Sequence, residues 1–124
     1  MSLDWSLLCD GSDFKIQGSE ISVAFPDDRS HKVLLQESDD EYLLTANVAR
    51  RALVATLPDL AISVWQRNRT VSLMGFRIDK LGRLIAESCV PKNGLTASEF
   101  QFYVRHLAIE ADRLEYILSG SDTH

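Results

Sequence analysis

His106 and Glu110 stand four residues apart in a stretch patterned as a helix, so they share a face and have the types for an acid–base pair. General acid–base work also needs a nucleophile or an oxyanion donor nearby. The sequence supplies neither. It holds no HExxH, CxxC or GxSxG, and glycines 11, 18, 75, 82, 94 and 120 are scattered rather than gathered into a phosphate loop. The pair therefore reads as a solvated helix-face pair. Cys89 would make a thiol–imidazole couple with His106 only if the fold joined them, and nothing in the spacing does so. His31 with Asp27 and Asp28 gives three oxygen or nitrogen ligands in one turn. That is too few for a cation site, so the segment reads as an exposed acidic turn. Cys9 and Cys89 lie 80 positions apart and read as reduced, partly buried thiols. No catalytic residue, metal site or cofactor is expected, and the chain reads as a binder rather than an enzyme.

Four residues are expected to line a partner-binding surface on patterning alone: Trp65, Val71, Leu73 and Phe102. Phe102 sits to one side of the main apolar stripe of its helix, and an exposed aromatic on a helix flank marks a partner surface. Charge supplies a second candidate. Residues 1–49 carry ten acids against three bases, residues 50–83 seven bases against two acids, and residues 84–124 six acids against three bases. The middle segment is thus a basic island, with Arg50, Arg51, Arg67 and Arg69 as its patch and Arg77, Lys80 and Arg83 following. The plainer expectation is that these arginines pair with the acidic N-terminal strands. The net charge of −5 repels nucleic acid at long range, so nucleic acid is not expected as a partner. Glu37 and Asp39-Asp40-Glu41 form an acidic turn that keeps a sheet edge from adding strands.

These residues need elements to position them. Phe14, Ile16, Ile21, Val23 and Phe25 alternate with polar residues, which is strand patterning broken by a turn at Gly18-Ser19. Residues 31–38 and 41–49 read as two more strands around Asp39-Asp40, so the first 49 residues form an antiparallel meander. Residues 3–9 suggest a short helix or arm. Residues 61–65 also fit a strand, but Pro58 and the spacing after it favour a helix over 57–69. Residues 71–78 and 83–89 predict a hairpin around Asp79-Lys80-Leu81-Gly82, with φ > 0 at the glycine. Thr96-Ala97-Ser98-Glu99 is a capping box, with Leu95 and Phe100 as its hydrophobic staple. Phe100, Tyr103, Val104, Leu107, Ala108, Ala111, Leu114 and Leu118 then repeat at three and four, and Gly120 stands at the C-cap position before a flexible 120–124 tail.

The expected fold is α+β: a twisted antiparallel sheet of about five to six strands, packed against a long C-terminal helix and a shorter middle helix. A chain of 124 residues, 45% hydrophobic and 25% charged, is one domain of globular composition. No apolar run reaches the roughly 18–20 residues that span a bilayer. The N-terminus lacks a basic signal region, so a cytoplasmic location without membrane contact is expected.

The element order carries a resemblance. A meander, a short helix ending in Gln66-Arg67-Asn68-Arg69, a hairpin with Phe76-Arg77-Ile78-Asp79 and Gly82-Arg83-Leu84, and Leu95-Thr96 opening a helix with Ala108, Ala111, Asp112, Arg113 and Leu114 resemble the YbjN-like proteins. These share the fold of the bacterial type III secretion chaperones of the CesT/SycE type. The resemblance covers roughly residues 31–119. It implies a twisted antiparallel sheet flanked by helices, a homodimer, and no active site. It also implies that a protein partner binds along hydrophobic surface and exposed strands. The chaperones begin with a longer helix than residues 3–9 allow. The expected function is a polypeptide-binding adaptor. The competing reading is a small regulatory domain that takes a ligand or nucleic acid on the basic 50–83 segment.

Overall fold

Alternation decides which side chains go under the helix. In 31–36, His31, Val33 and Leu35 are buried while Lys32, Leu34 and Gln36 are exposed. Tyr42, Leu44, Ala46 and Val48 repeat the pattern on the next strand, and Leu84, Ala86, Ser88 and Val90 on the last. The computed structural model describes residues 13–26 and 29–120. The arm expected at 3–9, Cys9, the Asp27-Asp28 turn, and the tail from residue 121, His124 included, lie outside them.

The elements run β1 (Phe14–Gln17), β2 (Glu20–Ala24), β3 (Ser30–Glu37), β4 (Glu41–Ala49), α1 (Arg51–Val54), α2 (Leu60–Asn68), β5 (Gly75–Ile78), β6 (Leu84–Pro91) and α3 (Ala97–Gly120). The six strands form one antiparallel sheet in the order β1-β2-β3-β4-β6-β5. The expected α+β architecture is present. After the meander the chain leaves the sheet through α1 and α2 and returns with β6 beside β4. The register shifts between Asn47 and Ala49, and both Val48 and Ala49 are buried there.

Helix α3 lies across the buried face. Phe100, Val104, Leu107, Ala108 and Ala111 are all 0% exposed. Alanine at 108 and 111 lets the helix approach the sheet closely, and Phe100 meets Tyr42 edge-on at 5.4 Å between ring centroids. Each large apolar side chain buried this way contributes about 1.5–3 kcal/mol. The helix start departs in detail from the expected box. The Glu99 backbone N–H donates to Thr96 Oγ1 at 3.2 Å, but the Glu99 carboxylate accepts from the Thr96 hydroxyl at 2.9 Å instead of from its backbone. The hairpin turn behaves as its sequence says. Gly82 has φ +81°, and a Cβ there would lie 3.1 Å from Arg51 Cγ. Asp79 Oδ1 accepts the backbone N–H groups of Leu81 and Arg83. The Arg83 backbone hydrogen bond leads the effects that hold its carboxyl below the ordinary value.

Two local expectations need correction. α1 was not foreseen, because four residues carry too little periodicity to register. The strand expected over 71–78 begins only at Gly75. The backbone before it is engaged elsewhere. The Val71 N–H donates to the Arg67 carbonyl at 3.1 Å, and the Ser72 carbonyl accepts from His106 Nε2 at 2.8 Å. The Leu73 carbonyl accepts the Ser88 hydroxyl at 2.6 Å. Leu73 is consequently left-handed, at φ 66°.

Candidate functional site

Helix α3 buries one stripe and leaves both flanks to form surfaces. Beside its N-terminal half, Phe102 is 53% exposed and Leu73 52% exposed. Together with Ser98, Glu99 and Tyr103 they line a small cleft. Phe102 stacks on His106, with ring centroids 5.6 Å apart and planes 6° from parallel. His106 Nε2 donates to the Ser72 carbonyl, so this ring anchors the 71–73 loop against the helix. Two of the four residues expected on a partner surface, Leu73 and Phe102, line this cleft, with Leu73 in a loop rather than the expected strand.

A larger groove runs beside the C-terminal half of α3. Phe25 and Pro26, just past β2, face Ile109, Asp112, Tyr116 and Ile117, with Arg29 and Arg113 at the rim, around about 470 Å³. Its apolar side chains are unusually open for their type: Ile109 is 40%, Ile117 48% and Tyr116 63% exposed. Arg29 covers one end, with its guanidinium 5.1 Å from the Tyr116 ring centroid and an ion pair to Asp112. Sequence reasoning missed this groove. Its signal was a second apolar row at 109, 116 and 117, which are seven and eight residues apart and lie beside the buried stripe.

The other expected partner residues separate. Trp65 is exposed on the outer face of α2, near Ile62 and under the Arg69 guanidinium at 5.0 Å, and it does not line the Leu73–Phe102 cleft. Val71 is half-buried and packs against the core. The basic residues also disperse. Arg77 pairs with Glu87 at 2.9 Å and Arg83 with Asp79 at 2.8 Å, so these partners are local rather than on the N-terminal strands. Hairpin register brings them together before any distant acid can. Arg50 and Arg51 are exposed around the start of α1. Arg67 lines a polar pocket with Thr70, Ser72, His106 and Arg113, and its Nε is buried without a hydrogen-bond partner.

The groups that might have done chemistry are occupied or dispersed. Glu110 pairs with Arg113 at 3.1 Å and His106 with Ser72, so the expected i,i+4 pair is not made. Cys89 is exposed on the face of β6 opposite the helix, away from His106. Burial, then the charges of Glu41 and Glu87, push its thiol up, which disfavours the thiolate.

Backbone edges differ as well. At the β5 edge, Asn68 uses both ends of its side-chain amide: Oδ1 accepts the Phe76 N–H at 2.8 Å, and Nδ2 donates to the Phe76 carbonyl at 2.9 Å. That closes β5 to strand addition at its centre. β1 forms the other edge, and among the described residues no strand pairs with its outer side.

No family model and no curated protein matches this sequence. Among solved structures, a chain of the crystal structure of the ExsC–ExsE complex matches at TM-score 0.60 and 16% identity, covering 92% of this chain and 87% of that one. This chain shares the fold of that chain, a type III secretion chaperone-like α+β fold. In that fold the six-stranded sheet is the platform and α3 the cover, so the two surfaces above are the flanks of the cover. No described helix is long and apolar enough to cross a membrane.

Proposed function

We propose that this protein is a non-catalytic, chaperone-like adaptor that holds a polypeptide segment of a protein partner. In this reading it acts as a homodimer in the cytoplasm. The observation that carries the reading is the groove of Phe25, Pro26, Ile109, Tyr116 and Ile117, an open apolar trough with a charged rim. An extended or helical segment fits such a trough by placing alternate side chains in it while its backbone stays solvated or pairs with a sheet edge. The Leu73–Phe102 cleft supplies a second contact on the same helix, and among the described residues β1 is the edge open to added backbone hydrogen bonds. Similarity to a chain solved in a two-protein complex supports a protein partner. The engaged His106 and the disfavoured Cys89 thiolate support the absence of catalysis.

The test is co-purification of the native protein, followed by Ile109→Glu and Ile117→Glu in the groove and Lys32→Glu on the opposite sheet face. The groove variants are expected to lose the partner and the sheet-face variant to keep it. A protein that always purifies alone, with neither groove nor β1 protected from hydrogen exchange by any partner, rules the reading out. Light scattering at several concentrations tests the dimer, which should have twice the 13.9 kDa chain mass.

One observation favours a second reading. The buried, unpartnered Arg67 Nε, in a pocket with the Thr70 hydroxyl and the Arg113–Glu110 pair, suits a small polar ligand and a regulatory role. Binding that weakens with salt and disappears in Arg67→Glu/Arg69→Glu would support it, and the nucleic-acid form of that reading would need a salt slope of several charges.

A further inference from the structure

His31 opens β3 on the helix side and is only 7% exposed. Its ring faces Asp112 and Glu115, three positions apart on one face of α3. Nε2 lies 2.7 Å from the Asn47 backbone carbonyl. A carbonyl only accepts, so Nε2 carries the proton, and in the neutral ring Nδ1 is a lone pair. That lone pair points at Asp112 Oδ1, 3.5 Å away. Two acceptors face each other at a distance too long for a good hydrogen bond. The three residues each present one ligand atom, and these atoms lie within 4.8 Å of one another.

The 3.5 Å between His31 Nδ1 and Asp112 Oδ1 matches an edge of a small metal polyhedron, and the wider separations, up to 4.8 Å, would shorten by side-chain rotation on binding. Bonds of about 2.0–2.2 Å in a tetrahedral zinc site put ligand atoms roughly 3.4 Å apart. The supporting contacts also match. A ligating histidine characteristically donates its other N–H to a carbonyl, as His31 does to Asn47. A ligating carboxylate is itself held by a hydrogen bond, as Arg29 holds the second oxygen of Asp112. Glu115 makes no ion pair with any described side chain and borders a solvent-open pocket beside Ser30 and Asn47, which provides an entry path. One imidazole and two carboxylates, with a position left for water, suit a divalent transition ion.

We infer that His31, Asp112 and Glu115 form a binding site for a divalent metal ion of the zinc class, clamping β3 to the C-terminal half of α3. The site does not depend on the polypeptide-binding reading. The test is titration of the full chain with Co²⁺, read by visible absorption, and displacement of the cobalt by Zn²⁺. One equivalent should bind with the bands of a four- or five-coordinate nitrogen–oxygen site, and Zn²⁺ should raise the melting temperature. Glu115→Gln, partly exposed and nearly isosteric, should fold normally, bind at least about tenfold more weakly and lose the zinc-induced rise. Cys89→Ser should bind like the wild type. Absence of stoichiometric binding, equal affinity in Glu115→Gln, or loss in Cys89→Ser overturns the site. The third outcome would move the metal to the exposed thiol.

Discussion

The two flanks of α3 make their surfaces in different ways. The groove at the C-terminal half comes from periodicity: Ile109, Tyr116 and Ile117 fall on one helical face and meet Phe25 and Pro26 with ordinary backbone. The cleft at the N-terminal half is held in shape by polar cross-bonds. His106 holds Ser72, Ser88 holds Leu73, and Leu73 adopts a left-handed conformation that costs about 1–2 kcal/mol. A surface of the first kind tolerates substitution because nothing folds around it. A surface of the second kind ties binding to local stability.

Phe100 packs beneath the N-terminal half and belongs to the one core under both surfaces. Phe100→Ala is therefore expected to cost about 3–5 kcal/mol in urea unfolding, with hydrogen-exchange protection falling along the whole helix. Loss confined to the cleft would show that the two surfaces stand on separable units. Next in size is Asn68→Ala, which strips both partners from Phe76 and should cost about 1–3 kcal/mol. Ile117→Ser, on the groove, should stay within about 0.5 kcal/mol of wild type. Similar costs for the two would erase the distinction between polar-built and periodicity-built surfaces.

Leu73→Gly sharpens the comparison further. Glycine adopts φ 66° freely, so stability should hold or rise by less than about 1 kcal/mol while the cleft loses its apolar wall. A clear loss of stability would mean that the Leu73 side chain, not its backbone, organises the loop.

A small, pH-dependent effect is expected at Asp13. It pairs with Arg105, which lies between the two surfaces on α3, at 2.6 Å and 2.9 Å. The Arg105 hydrogen bonds hold the Asp13 carboxyl below its ordinary value of 3.8. A depressed folded-state value stabilises above the unfolded value and loses that stabilisation as pH falls through the folded one. Asp13→Asn should therefore cost under about 1 kcal/mol at neutral pH, because both side chains are partly solvated. The gap from wild type should close as acid unfolding proceeds below pH 3.8. A gap independent of pH would assign the effect to packing.

Several features were legible because their causes are local. Alternation set Ile21 and Val23 on one strand face, both of which are buried, the spacing of Phe100 to Leu118 drew the helix stripe, and Gly82 announced its own turn. The site was legible only in part. Leu73 and Phe102 do share a cleft, but Trp65 was grouped with them on patterning alone and stands apart. The pairing of the basic segment was misplaced because hairpin register, not overall charge balance, chooses ion-pair partners.

By itself the sequence determined the strands of the meander, the capped helix, the α+β class, and the lack of a recognisable catalytic motif, since each follows from residues within a few positions of one another. Tertiary structure decided which side chains converge. His31 meets Asp112 across 81 positions, and Arg105 meets Asp13 across 92. The 71–73 segment surrendered its strand to side chains from α3 and β6. Periodicity records the face a residue presents. It carries no information about what is packed against that face, because that depends on how distant elements share one core.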